Sequence, residues 1–541
     1  MSQPVLQYAT PGADEAAPSP EPPRDNLARR TAHGFLWLMA QTIGSKIVGM
    51  AGQVVLAWLL VPADLGLWGT ASIVMGFSGL IQQAGIRETL IHRQRTYHLW
   101  ANTAFWMSAS LGLLGAALTA LAAWPAAMFF HEPRLFWMLM FLAATAPIMS
   151  LDQVAEAKLQ NQLRFGLLAA VNWGVAVAQL GLTILFAVII PAPYKAYSFV
   201  LPRPVIALSR LTILWNAGRP PIRWNLHVSR WKYLLSDSAT LFTSNLFLML
   251  QWQGDYIVLG RVYADKSILG VYFLAFNLSI QTMQLFTGNL TGVLFPALSK
   301  LQGDPQRQIR AFLDATRLLA LVAVPLCLLQ MGVADPGVRL FFQDAKWQDA
   351  IPVLQALSIG MAFRVVASPG GSLIQAQGRF RVILITNVIN AIVFLGLVTA
   401  GALAGNVHAA SRWLHPATTV GIAVAIYFAL IGPIFLYIAI RPSGGTWGDI
   451  WRVYAAPMLT SVVAVAVAMY AGSLVPVDRI RGHRWGQAVR LTVILTWFVA
   501  SYIPLIRLTA PDAWRSLIRR VATLYRGRAT ESEPAATAAA A

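Results

Sequence analysis

Fourteen long apolar segments, one after another, limit what this chain can fold into. Each has about 20 residues or more, the length at which a helix crosses the hydrocarbon core of a bilayer. The segments are 35–60, 65–85, 102–130, 134–156, 165–190, 196–217, 236–260, 268–294, 311–334, 349–368, 381–404, 417–440, 453–475 and 488–507. Only helices satisfy the backbone in lipid over runs of this kind. The sequence therefore predicts an all-α integral membrane protein with about 14 transmembrane helices.

Charge supports that prediction and excludes a soluble multidomain enzyme. Of the 541 residues, 57% are apolar and 12% are charged, whereas a soluble domain carries about 25% charged residues. With both tails on the cytoplasmic side, 25 Lys and Arg fall on the side of the tails and 10 in the opposite loops. Basic residues collect in cytoplasmic loops, so the net charge of +19 does not require a nucleic-acid partner.

A short motif occurs twice. Ala63-Asp64 precedes Leu65-Gly66-Leu67-Trp68 after the first segment, and Ala264-Asp265 precedes Leu269-Gly270-Val271-Tyr272 after the seventh. Such a displacement of about 200 residues favours two lobes of six helices with the same direction. We predict a disordered cytoplasmic tail (1–33), a first lobe (34–217), an inter-lobe loop (218–235), a second lobe (236–441), two further helices (442–507) and a basic cytoplasmic tail (508–541).

Ionisable residues inside the segments are the candidate site residues, because each costs at least about 2.5–3.5 kcal/mol near the centre of the bilayer. Lys46 lies on an arc of the first segment that also holds small and polar residues, among them Gln53. This arc indicates the wall of a wet cavity, and the alternative is a helix–helix contact made by small residues. Because a contact of that kind does not need an ammonium group, we favour the cavity.

The sixth, seventh and tenth segments contain further candidates. Arg203 lies between two prolines, which predict a broken or kinked helix, and Arg210 lies on the same face. The alternative for Arg203 is that it reaches outward to the membrane surface. Gln251 and Asp255 share a narrow polar stripe with Asp237, Thr240 and Ser244, and Arg261 follows that stripe. Arg364 precedes the break Ser368-Pro369-Gly370-Gly371.

These cations predict an interior that suits an anionic substrate, because Arg clamps phosphate oxygens and Lys acts as a point charge. The sequence has no phosphate-binding loop of the P-loop type, no zinc-protease motif and no Asp-x-Asp. Its one cysteine, Cys327, excludes an intramolecular disulfide and a Cys-rich metal site. We therefore predict a protein that is not an enzyme and that uses no metal or cofactor.

Several stretches resemble a known family. They are Pro62–Trp68 leading to Gly85-Ile86-Arg87-Glu88, then Gly254-Asp255-Tyr256-Ile257-Val258-Leu259-Gly260-Arg261, Leu269–Tyr272 and Phe295-Pro296-Ala297-Leu298-Ser299. Their order and spacing, over most of residues 33–400, resemble Wzx-type polysaccharide transporters of the multidrug/oligosaccharidyl-lipid/polysaccharide (MOP) exporter superfamily. One departure is Gln82-Gln83-Ala84-Gly85, where many relatives have an acidic residue before the glycine.

The resemblance implies a V-shaped pair of six-helix lobes with two extra C-terminal helices, in a bacterial inner membrane and with both termini cytoplasmic. It also implies a function: flipping an undecaprenyl-diphosphate-linked oligosaccharide repeat unit for cell-surface or exopolysaccharide synthesis. Lys46, Arg203 and Arg210, with Arg261 and Arg364, would then meet the diphosphate. Other partners would be membrane lipid, a polysaccharide polymerase or export complex, and H⁺ or Na⁺ as coupling ion. We assign ion coupling to Asp255, and further substrate contacts to Gln53 and Gln251.

Three other functions remain open at this stage. A drug or metabolite antiporter of the same superfamily would favour acidic cavity residues, but intramembrane cations outnumber deep acids here. A membrane-embedded polysaccharide polymerase or ligase would carry a large periplasmic loop with catalytic Arg or His. A scaffolding subunit of an exporter would not need charges inside its membrane segments.

Overall fold

The computed structural model describes residues 44–83, 90, 97–223, 225, 231, 238–342, 345–407, 411–477, 483–511 and 514–515. Within them, fourteen long helices correspond to the fourteen predicted segments, and one short helix is added. The helices are α1 (Gly44–Leu59), α2 (Pro62–Gln83), α3 (Tyr97–Phe129), α4 (Arg134–Asn161), α5 (Phe165–Ile189), α6 (Pro202–Gly218), α7 (Ser238–Val262), α8 (Lys266–Ser299), α9 (Pro305–Phe341), α10 (Ala350–Ala367), α11 (Gly370–Ala376), α12 (Phe380–Ala404), α13 (Pro416–Ile440), α14 (Trp447–Ser473) and α15 (His483–Thr509). The predicted N-terminal tail, much of the inter-lobe loop and nearly all of the C-terminal tail lie outside the described residues.

Length and hydropathy alone identify 11 of these helices as candidate membrane spans among the described residues. Helix α1 is described over a shorter apolar stretch, Gly44–Leu59, and α2 and α7 are not among the 11. Both α2 and α7 carry polar residues within the membrane-length part of the helix, such as Ser72, Ser78 and Gln251. Both also take part in the contact between the two halves of the molecule, so part of their surface faces protein and not lipid.

Prolines mark where two of the helices begin or break. Helix α6 begins at Pro202, after a short 3₁₀ turn (Lys195–Phe199), so Pro202 and Pro204 lie in its first turn. Proline costs little there because those N–H groups have no partner within a helix. The predicted break therefore precedes α6, which puts Arg203 at a helix start and not at a kink. The predicted break at Ser368-Pro369 separates α10 from α11.

Helix packing divides the chain into two groups. Helices α1–α6 form a first lobe in which α3 packs on α4, α2 on α3, and α4 and α5 on α6. Helices α7–α13 form a second lobe, and α14 and α15 pack on each other and on α9 of that lobe. The lobes meet where α2 crosses α8 and α7. The exact residue boundaries proposed from the sequence stay a prediction.

The repeated motif lies where the two lobes cross. A Cβ atom on Gly66 would be 1.9 Å from the carbonyl oxygen of Lys266, and a Cβ on Gly270 would be 1.7 Å from the carbonyl oxygen of Pro62. Gly270 and Lys266 each stand 204 residues after Gly66 and Pro62. The contact is therefore a symmetric exchange between equivalent positions. No side chain larger than hydrogen fits this approach, which explains why the motif contains glycine.

Two tryptophans join the lobes at the same end of the molecule. The indole Nε1 of Trp347, a fully buried side chain, donates to the carbonyl oxygen of Ala57 at 2.9 Å. The indole of Trp58 donates to the carbonyl oxygen of Phe341 at 2.6 Å. Together with the glycine crossing, these contacts close one end of the inter-lobe cleft. We call this end the sealed end, defined by Trp58, Gly66, Gly270 and Trp347.

Candidate functional site

Lys46 projects from α1 across the cleft between the lobes. Its Nζ donates to Oε1 of Gln284 at 2.7 Å and to Oε1 of Gln281 at 3.3 Å, both on α8 of the second lobe. The side chain is half-buried. No ion pair to Lys46 is found within the described part of the chain. Its positive charge is therefore held between the lobes by neutral amides.

The polar arc of α1 contains both a cavity wall and a helix contact. Ser45 and Gly49 line a cavity of about 220 Å³. Gly52 faces Leu180 of α5, with 2.5 Å between its hypothetical Cβ and that side chain, so it allows α1 and α5 to pack closely. Gln53 is half-buried, and its Oε1 accepts no hydrogen bond from the described residues. The cavity-wall interpretation therefore holds for Ser45 and Gly49, and the helix-contact interpretation holds for Gly52.

Arg203 lies between two cavities inside the first lobe. Trp68 and Arg203 line the cavity that Ser45 also lines, and the same two residues line a second cavity of about 390 Å³. The guanidinium carbon of Arg203 is 4.8 Å from the ring centre of Trp68. On α2, the Trp68 ring stacks on Phe199. Arg203 thus reaches the interior of the lobe, and the alternative that it points outward to the membrane surface is wrong.

Arg210 differs from the prediction. Its guanidinium forms ion pairs with Asp152 and with Glu156 of α4, and the Glu156 contact measures 2.7 Å. Both carboxylates are buried in the first lobe. Two neighbouring acids therefore neutralise the cation that the sequence suggested as a phosphate ligand. Since a buried ion pair of this kind is disrupted only at high cost, we leave Arg210 out of the candidate site.

The second lobe holds two of the predicted residues, Arg364 and Asp255, in its interior. The guanidinium of Arg364 lies between Trp252 and Phe428, 3.8 and 4.6 Å from their ring centres. Asp255 is 1% exposed and accepts a hydrogen bond of 2.7 Å from the hydroxyl of Tyr272, which links α7 to α8. These residues do not come together with Lys46 at one central point, as the sequence had suggested.

Gln251 and Arg261 make contacts between helices. The amide of Gln251 donates to the carbonyl oxygen of Asn387 at 3.2 Å and accepts from the hydroxyl of Tyr427 at 3.2 Å, joining α7 to α12 and α13. Arg261 is exposed near the sealed end, with its guanidinium carbon 5.3 Å from the ring centre of Phe129. The observed contacts of both residues are structural, and neither faces Lys46.

Sequence reasoning missed the partners of the charges. Gln281 and Gln284 stand three residues apart on α8, so they share a face, and that spacing is a usable signal. In the sequence, Trp68 stands out only as part of the repeat. Nothing in the local sequence connects Arg210 to Asp152 and Glu156, because Arg210 lies on α6 and the two acids lie on α4. Among the described residues, no cluster of His, Cys, Asp and Glu has the arrangement of a metal site.

A two-lobed helical bundle with Lys46 bridging to Gln281 and Gln284 between the lobes defines the class of this protein. The fold is that of transporters of the MOP superfamily: the lipid II flippase MurJ, in its inward closed conformation, aligns with 87% of this chain and 99% of its own at a TM-score of 0.68 and 13% identity. A MATE multidrug-resistance transporter aligns with 74% of this chain and 96% of its own, at 14% identity and a TM-score of 0.56.

The chain belongs to the polysaccharide biosynthesis protein family, whose model matches residues 55–352. It is 24% identical to the lipopolysaccharide biosynthesis protein WzxC of Escherichia coli over 412 residues, 76% of this chain and 82% of WzxC. It is also 24% identical to the succinoglycan biosynthesis transport protein ExoT of Rhizobium meliloti over 507 residues, 92% of this chain and 95% of ExoT. These findings confirm the resemblance and the predicted fold class. The protein is a multi-pass membrane transport protein of polysaccharide biosynthesis.

Proposed function

We propose that this protein flips a lipid-linked oligosaccharide from the cytoplasmic to the periplasmic leaflet of a bacterial inner membrane. The substrate is an oligosaccharide repeat unit on undecaprenyl diphosphate. The observation that carries the proposal is Lys46, an ammonium group within the inter-lobe cleft whose observed partners are two neutral amides. An ionisable group inside a membrane protein is expensive, which makes it a candidate for contact with a charged substrate.

Orientation follows from the distribution of basic residues. With both tails cytoplasmic, the sealed end faces the periplasm, because α1 ends and α2 begins there. Substrate then enters the cleft from the cytoplasmic side. The diphosphate stays in the cleft while the isoprenoid chain remains in the bilayer, and rocking of the lobes opens the sealed end.

Lys46 couples substrate binding to that movement. Its hydrogen bonds to Gln281 and Gln284 connect α1 to α8 across the cleft. A diphosphate offers ionised oxygens, and hydrogen bonds between charged groups are roughly twice as strong as neutral ones. Bound substrate therefore draws Lys46 from the glutamines and releases a bridge between the lobes. Nothing else is needed for binding to bias the equilibrium between two states.

We assign coupling to a proton or sodium gradient to Asp255. Its carboxylate is buried, and Tyr272 holds it between α7 and α8. A change of its charge alters the contact between a helix of the lobe interface and its neighbour. Arg364 stays in the second lobe as a nearby positive charge, and Gln53 remains a candidate cavity residue on α1.

Replacement of Lys46 tests the proposal. Loss of a hydrogen bond to a charged group costs about 1.5–3 kcal/mol, which corresponds to roughly 10- to 150-fold. We expect Lys46→Ala to lower flipping of an undecaprenyl-diphosphate-linked disaccharide in proteoliposomes by at least tenfold. Flipping is measured as the gain in accessibility of the sugar to a membrane-impermeant reagent. Lys46→Arg, which keeps the charge, should retain most of the activity.

Lys300→Ala provides the matched control, because Lys300 is an exposed lysine that follows the end of α8 outside the cleft. It should flip at the rate of the unmodified protein. Wild-type protein that moves no lipid-linked sugar would refute the proposed function. Flipping by Lys46→Ala at the rate of the unmodified protein would refute the role of Lys46. Transport of organic cations with no movement of lipid-linked sugar would favour the drug-antiporter alternative.

A further inference from the structure

The cavity of about 390 Å³ in the first lobe has a polar lining to which the contacts of Lys46 assign no role. It lies among α2, α3, α4 and the start of α6, and its polar lining consists of one cation, one amide and four hydroxyls. Those lining residues are Arg203, Gln82, Ser72, Ser78, Thr119 and Thr145. No acidic residue is among the described residues that line it.

Three of the four hydroxyls of the cavity present hydrogen-bond acceptors. Ser72, Thr119 and Thr145 each donate to a main-chain carbonyl oxygen of their own helix at 2.7 Å. A hydroxyl has one proton and two lone pairs, so a group that has already donated offers a ligand its lone pairs. A ligand that fits this wall is therefore rich in O–H donors.

Arg203 supplies the opposite property at one end of the same cavity. Its guanidinium lies against Trp68, a contact that uses the ring face and leaves N–H groups for a ligand. Its Nε is buried and has no hydrogen-bond partner among the described residues. The stack of Trp68 on Phe199, with ring centres 5.2 Å apart, fixes the surface on which Arg203 rests. Arg203 is thus held in place while its planar set of donors remains available.

We propose that this cavity binds a sugar that carries a carboxylate, such as a uronic acid residue of the repeat unit. Arg203 takes the carboxylate, and Ser72, Thr119 and Thr145 accept from the sugar hydroxyls. The inference deepens the proposed function and rests on it for the identity of the substrate, since it names the sugar class that the first lobe selects. We call this cavity the sugar pocket, defined by Ser72, Thr119, Thr145 and Arg203.

The diphosphate suits this cavity less well than the sugar does. Near neutral pH, a diphosphate offers almost only hydrogen-bond acceptors. The hydroxyl oxygens of Ser72, Thr119 and Thr145 would repel its oxygens. A sugar ring, in contrast, brings several hydroxyl donors. The smaller cavity is lined by Ser45, the chain neighbour of Lys46, and shares Trp68 and Arg203 with the sugar pocket. A substrate with its diphosphate at Lys46 therefore has its sugars directed toward Arg203.

Direct binding tests the sugar pocket without any transport. Full-length protein in lipid nanodiscs is titrated with methyl α-D-glucuronide, methyl α-D-glucoside and inorganic pyrophosphate, and binding is followed by saturation-transfer NMR. We expect the glucuronide to bind at least tenfold more tightly than the glucoside. Arg203→Gln should lose that preference, and Arg203→Lys should keep part of it. Thr145→Val should weaken both sugars and keep the ratio between them.

Arg441→Gln is the matched control, because Arg441 also lies over an aromatic ring, Tyr437, but is exposed at the end of α13. It should bind like the unmodified protein. Equal binding of glucuronide and glucoside, or an unchanged preference in Arg203→Gln, would overturn the inference. A third result would also overturn the inference: pyrophosphate displaces the glucuronide, and Arg203→Gln weakens the binding of both ligands by the same factor. The site would then bind the diphosphate.

The two proposals fail separately. Protein that binds the glucuronide through Arg203 but flips no lipid-linked sugar would refute the flippase function and leave the sugar pocket standing. Protein that flips lipid-linked disaccharides and shows no preference for the acidic sugar would refute the sugar pocket alone.

Discussion

The glycine crossing at the sealed end gives the sharpest prediction about conformation. In Gly270→Ala, the added Cβ would lie 1.7 Å from the carbonyl oxygen of Pro62. Non-bonded carbon and oxygen atoms need a separation of more than about 3 Å, so α2 and α8 must move apart by over about 1 Å. Overpacking of this kind costs about 1–3 kcal/mol. We expect an open arrangement to lack this contact, and the equilibrium should then shift toward it by about 5- to 150-fold.

Distances between spin labels across the sealed end, measured by double electron–electron resonance, report that shift. Spin labels at Val61 and Ala264, which are both exposed beside the crossing, report whether the two lobes are close or apart. The background is favourable because Cys327, the one native cysteine, is fully buried. We expect mainly short distances in the parent protein and a clear gain of long distances in Gly270→Ala.

Gly337→Ala serves as the control, because a Cβ at that position in α9 meets no atom within 4 Å. It carries the same change in helix propensity and should leave the distances unchanged. The double variant Gly66→Ala/Gly270→Ala should cost less than the two single changes added together, since one separation of the helices relieves both contacts. An unaltered distance distribution in Gly270→Ala would show that this crossing does not hold the end closed.

Two further predictions concern the charges inside the lobes. Arg210→Gln leaves Asp152 and Glu156 buried without their cation, which should destabilise the protein by about 3–5 kcal/mol and lower its thermal denaturation temperature in detergent. The triple variant Arg210→Gln/Asp152→Asn/Glu156→Gln should recover the denaturation temperature of the parent. Arg210→Gln as stable as the parent would contradict the ion-pair assignment. Asp255→Asn keeps an oxygen that accepts from Tyr272 but removes the titratable group, so flipping should continue without stimulation by an imposed proton or sodium gradient. Stimulation equal to that of the parent protein in proteoliposomes would remove Asp255 from the coupling role.

The sequence by itself determined where the long helices of the described residues lie along the chain. Hydropathy is a local property that adds along the chain, so apolar runs mark helices whatever lies beside them. The first lobe and the second were visible in one short repeat, and the cost of an ammonium group in lipid was enough to single out Lys46. The same local reasoning correctly gave a break after α10, where Ser368-Pro369 interrupts the helix.

The tertiary structure alone decided which charges are neutralised and what the repeat is for. Arg210 meets carboxylates 54 and 58 residues earlier in the chain, while Arg203, seven residues before it on the same helix, meets an aromatic ring and a cavity. Trp347 bonds to a carbonyl 290 residues away. The energy of a charge or a glycine depends on the atoms around it, and those atoms come from helices whose placement no local pattern encodes.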